Sequence, residues 1–134
     1  MFSFVLDVNI WISLFLKKEY PEKLTEWSVA TRNTIYCSDI LTNELWNVIN
    51  RPHIAGRLKK TVLECFVFYN KTTTLFNPIP IFTECPDPKD NYLFDLAIQS
   101  QADFLVTGDK TVLDTPIKPP TKIISYSEFR EMFS

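Results

Sequence analysis

Four carboxylates set the chemistry this chain can do: Asp7, Glu44, Asp90 and Asp109. Asp7 closes the apolar run that begins at Phe2, and that run reads as a β-strand with a helix starting directly after it. Asp109 follows the run Phe104 to Thr107 by two residues, and Asp90 opens the helical stretch leading into that run. In open parallel sheets function gathers at the carboxyl ends of the strands, so these three acids can converge on one edge. Glu44 lies on a predicted helix, on the side away from Leu41, Leu45 and Val48. Four acids in one low-dielectric cleft repel one another and stay ionised together only around a cation. An all-oxygen ligand set completed by water points to Mg2+. One or two such ions acidify water and stabilise both oxygens of a phosphoryl displacement.

Other common sites are excluded by composition. With only two glycines, Gly56 and Gly108, neither a dinucleotide fingerprint nor a P-loop can be built. The one histidine, His53, is too little for a histidine-ligated zinc site or a serine triad. Cys37, Cys65 and Cys85 are odd in number and widely spaced, which fits small buried thiols in a reducing compartment. The apolar run Ile10 to Leu16 is far too short to span a membrane. No basic region precedes the opening apolar stretch, so a soluble, cytoplasmic protein is expected.

The elements that must position the acids alternate between strand and helix. Strands are predicted at 2–7, 35–37, 71–76, 103–107 and 122–125. Helices are predicted at 10–17, 22–32, 38–50, 57–70, 90–101, 111–113 and 127–133, with a break at Glu19 to Pro21. Residues 77–90 hold four of the nine prolines and read as irregular. This order predicts one α/β domain over residues 1–134: a parallel sheet with helices on both faces.

The blocks Leu6-Asp7-Val8-Asn9-Ile10, Ser38 to Leu45 with Asn50-Arg51-Pro52, Cys85 to Asn91, and Ala102 to Lys110 occur in this order, with Lys122 to Ser125 and Ser127-Glu128-Phe129 closing the chain. In these the chain resembles the PIN-domain ribonucleases, in particular the VapC-like toxin subunits of toxin–antitoxin pairs. The resemblance implies a PIN-like fold and a metal-dependent endoribonuclease that hydrolyses RNA phosphodiester bonds. Asp7, Asp90 and Asp109 would hold Mg2+ or Mn2+, Glu44 would complete the shell, and Asn9 and Thr107 would support it. It also implies a cognate antitoxin protein as partner, and a homodimer as one form of assembly. Val8 departs from the hydroxyl residue usual between the first Asp and the Asn, and Asp87 stands three residues before Asp90 as a rival third acid.

Plainer readings exist for each residue. Asp7 and Asp90 can be helix caps, Asp109 a turn residue, and Glu44 a solvated helix position. Asp39, Asp95, Asp103 and Asp114 read as caps or solvated faces. The basic stretch Arg51, His53, Arg57, Lys59 and Lys60 can contact RNA phosphates or form solvated surface, and Lys110 can reach a scissile phosphate. Trp11, Phe15, Leu16 and Trp46 can be core, or a face for a second copy or an inhibitory partner. The alternatives for the whole chain are a non-catalytic PIN-fold module that binds RNA or protein, and a phosphotransfer domain with an aspartyl-phosphate at Asp7. The second needs another Asp where this chain has Asn9.

Overall fold

The apolar runs around Val5 and Leu105 become the two central strands, and everything else is laid out from them. The computed structural model describes residues 1–17 and 20–133, so Glu19 of the expected break lies outside the described residues, while Tyr20 and Pro21 already belong to a helix. The strands are β1 (Ser3–Leu6), β2 (Thr34–Cys37), β3 (Thr73–Leu75), β4 (Phe104–Thr107) and β5 (Lys122–Ser125). They form one parallel sheet in the order β3-β2-β1-β4-β5. Helices cover both faces: α1 (Val8–Phe15), α2 (Tyr20–Thr31), α3 (Asp39–Ile49), α4 (Pro52–Ala55), α5 (Val62–Thr72), α6 (Asn91–Gln99), α7 (Lys110–Leu113) and α8 (Tyr126–Phe133).

The core explains why β1 and β4 read as unbroken apolar runs. Val5, Leu6, Leu105 and Val106 are fully buried, as expected for central strands covered on both sides. Trp11 and Phe15 of α1 are also buried, so these two belong to the core; Leu16 is half-buried, and Trp46 is 51% exposed against Phe66. Burying a side chain of this size contributes about 1.5–3 kcal/mol. The three cysteines are free and buried, and burial pushes the Cys65 thiol up to about 11. Among the described residues no helix is long and apolar enough to cross a membrane.

One predicted helix starts late and one short helix was not predicted. The stretch expected to be helical from 57 begins only at Val62, as α5, and before it Pro52 opens the short α4 at its first turn. Thr61 and Glu64 form a capping box, which satisfies two N–H groups that a helix start leaves unpaired. Residues 57–61 therefore connect the helices instead of extending one. The sheet is pinned at its amino end by Asp103, whose Oδ2 accepts from the Ser3 backbone N–H at 2.8 Å and from the Ser3 hydroxyl at 3.2 Å. Asp103 is thus a half-buried clamp between β1 and β4, not a solvated residue.

Candidate active site

From β1 the chain moves outward through β2 to β3, then returns to place β4 against the other side of β1. The connections leaving β1 and β4 at their carboxyl ends therefore diverge, and the crevice between them is where α/β sheets hold ligands. The register puts Leu6 opposite Val106, and the Asp7 N–H donates to the Val106 carbonyl at 3.0 Å. Asp7 thus emerges beside Thr107 at that crevice. The Thr107 hydroxyl donates to Asp7 Oδ2 at 2.7 Å and accepts from the Asp109 N–H at 3.0 Å. One buried hydroxyl ties the two strand-end acids together.

Asp7 and Asp90 both occupy helix N-cap positions, of α1 and α6, yet neither side chain makes a capping hydrogen bond. Asp90 is itself helical, at the end of a 3-10 turn that runs on into α6, and the Asp7 carboxylate draws on the N–H groups of Val8 and Asn9. Asp109 does cap α7, through the Thr111 N–H at 2.9 Å. Asp87 caps the single 3-10 turn Pro88–Asp90 through the Lys89 N–H at 3.1 Å.

The acids share one electrostatic neighbourhood. Burial raises the Asp90 carboxyl to about 6, and the charges of Asp7, Asp87, Asp109 and Glu44 add to the rise. Burial also raises Asp7; the Thr107 hydrogen bond and the N–H groups of Val8 and Asn9 act against it, and Asp109 adds to it. Glu44 is exposed on α3 and joins the group from its solvent side. Asn9 is exposed on the first turn of α1, while Val8 is buried in the core. Among the described residues, no three acidic, histidine or cysteine side chains stand so that they could hold a metal ion as placed. The donor chemistry nevertheless fits one: hard oxygen ligands only, with mutual repulsion that a divalent cation would relieve.

Tyr92 joins this neighbourhood without having been expected. It lies half-buried on the first turn of α6, and burial, then the charges of Asp7, Glu44 and Asp90, hold its phenol well above the usual range. The available signal was an aromatic residue two places after an acid at a helix start, which by itself reads as core.

The basic residues do not gather at the acids. Lys110 is exposed directly after Asp109. Lys59 and Lys60 instead line a cavity of about 380 Å³ with Lys17, Phe15, Leu63 and Lys71, at the far end of α1 from Asp7. Arg51, His53 and Arg57 are exposed on and around α4.

The sequence profile described as PIN domain matches residues 3–111. No curated protein matches the chain. Among solved structures, the chain is similar to the crystal structure of VapBC2 from Rickettsia felis bound to a DNA fragment from their promoter. The TM-score is 0.61 at 17% identity, over 92% of this chain and 98% of that one, a likeness of fold. Five parallel strands, the switch-point crevice and a profile match from β1 into α7 agree, and the chain belongs to the PIN domain family.

Proposed function

We propose that this PIN domain is a metal-dependent endoribonuclease that hydrolyses RNA phosphodiester bonds, and that it acts in the cytoplasm as the toxin of a toxin–antitoxin pair. One observation carries the reading: beside the switch point between β1 and β4, Thr107 links Asp7 to Asp109, and Asp90 feels the charges of both and of Glu44. Asp7, Asp90 and Asp109 would hold Mg2+ or Mn2+, with Glu44 completing the shell. When bound, the ion offsets the negative charge of carboxylates and phosphate and acidifies water. Thr107 fixes the orientation of Asp7 through its hydroxyl, and Lys110 is available to a substrate phosphate. A cognate antitoxin is the proposed protein partner. The VapBC2 structure supports this reading, since it is of a pair bound to a DNA fragment from their promoter.

The second reading is a non-catalytic binding module. The exposure of Glu44 favours it, as does the absence among the described residues of a three-ligand group set for an ion. Cleavage of a panel of structured and single-stranded RNAs with Mg2+ or Mn2+ separates the two. The expected result is cutting by the wild type, lost with a chelator and lowered about 10³-fold or more by Asp7→Asn. Equal behaviour of wild type and Asp7→Asn, with metal binding to neither, would leave the binding module standing.

A further inference from the structure

On the β3 side of the acid cluster lies a cavity of about 410 Å³. Its size is within the range of small-molecule pockets, ~300–1,000 Å³. Ile40, from the first turn of α3, forms one wall. The strap of residues 77–83 forms another with Pro80, Ile81 and Phe82. Lys89 and Tyr92, on either side of Asp90 in sequence, form the third. Tyr92 is therefore common to this cavity and to the acid cluster.

The strap is a built wall. Asn77 pairs with Asp39 in both directions: it accepts from the Asp39 N–H at 2.8 Å and donates from Nδ2 to Asp39 Oδ2 at 2.9 Å. Ile79 donates its N–H to Gln99 Oε1 at 2.9 Å and accepts from Gln99 Nε2 at 2.7 Å. The N–H groups of Ile81 and Phe82 both donate to Asp95 Oδ1, at 3.1 and 2.8 Å. The Phe82 ring stacks on Phe94 with centroids 4.4 Å apart. A cavity whose walls are fixed in advance spares its ligand the cost of ordering them.

The lining selects a chemistry. A phenol ring, three prolines and two isoleucines offer apolar faces, the Asp95 carboxylate in the lining is taken up by the strap amides, and the exposed Lys89 contributes an ammonium. Such a cleft suits a planar π-bearing group joined to an anion. We propose that it is a base subsite: it takes the nucleobase next to the phosphodiester being cut, turned out of a single-stranded RNA and packed among Tyr92, Ile40 and Ile81, with Lys89 toward the backbone phosphate. The proposal rests on the ribonuclease reading and narrows it to unpaired RNA, whose bases can be splayed out and stacked.

The test uses the full chain and one short single-stranded oligoribonucleotide in two series. In the first, 2-aminopurine replaces one base at a time and fluorescence is read on the Asp7→Asn protein. Quenching at one position is expected. It should be lost when Ile81→Glu or Tyr92→Ala is added, and kept with Tyr92→Phe, which retains the ring. Ile81 is 67% exposed, so its replacement leaves the core alone, and Val29→Glu, on α2 at a position 75% exposed, is the control. In the second, the wild type cuts oligonucleotides carrying one abasic ribonucleotide each, and the rate should fall roughly 10- to 100-fold at that same position only. Binding with uniform quenching or none overturns the subsite, as does a position-specific quench that survives both Ile81→Glu and Tyr92→Ala. Position-specific quenching without cutting keeps the subsite and removes the ribonuclease reading. Cutting without it does the reverse, and neither binding nor cutting removes both.

Discussion

The Asp90 carboxyl is raised to about 6 in the folded chain from an ordinary value of 3.8. The folded state then holds its proton more tightly than the unfolded chain does between those two pH values. Stability from this group is present below about pH 4 and lost as the pH rises through about 6. Asp90→Asn removes the dependence. Without divalent ions, the variant should be the more stable protein at pH 7.5 by about 1 kcal/mol after discounting for solvent screening, or roughly 4 °C in Tm, and the gap should close by pH 4. Thermal denaturation in chelator checks this. Thr107 gives a second expectation. Thr107→Val strips Asp7 of the hydrogen bond that favours its ionised form and leaves the Asp109 N–H without its acceptor. A loss of about 1–3 kcal/mol should follow. The acid limb of a cleavage pH profile should move to higher pH, and Thr107→Ser should restore both. The positions of Asp7 and Asp109 were legible because a strand end is legible. Asp95 and Asp103 were misread as solvated or capping because their partners, strap amides and Ser3, are distant in sequence.

At the scale of elements, the strands and every helix but α4 followed from periodicity, while connections did not. Residues 57–61 carry helix-compatible types, and only the capping box at Thr61 and Glu64 shows where α5 begins. The strap reads as irregular because its order comes from α3 and α6, not from itself. Asp95 is buried within the apolar run Leu93 to Ala97, and an acid in such a run was the one available sign that it had backbone to hold. Asp95→Ala leaves the Ile81 and Phe82 amides without acceptors. It should cost about 2–3 kcal/mol. Hydrogen exchange at those two amides should accelerate more than in the strands, with Asp95→Asn intermediate, because one amide oxygen still accepts.

Across the whole molecule the formal net charge is −2, so no general field gathers a polyanion. Lys89 and Lys110 are exposed next to Asp90 and Asp109 in sequence, whereas Lys59 and Lys60 face a different cleft. Binding of a short single strand to Asp7→Asn should therefore weaken only gently with salt. About two or three neutralised phosphates give a slope of log affinity on log salt near −2, at ~0.7 per phosphate. A slope of about −4 or steeper between 50 and 300 mM KCl would mean that the Arg51 to Lys60 stretch also binds. The sheet order adds a consequence in time. Asp7 meets Thr107, and Ser3 meets Asp103, each across 100 residues of chain. A growing polypeptide leaves the ribosome from its first residue, and β1 waits through α1 to α6 for its second neighbour. The acid cluster is thus among the last parts assembled, and a nascent chain stalled before β4 carries Asp7, Glu44 and Asp90 without the Thr107 and Asp109 that complete their site.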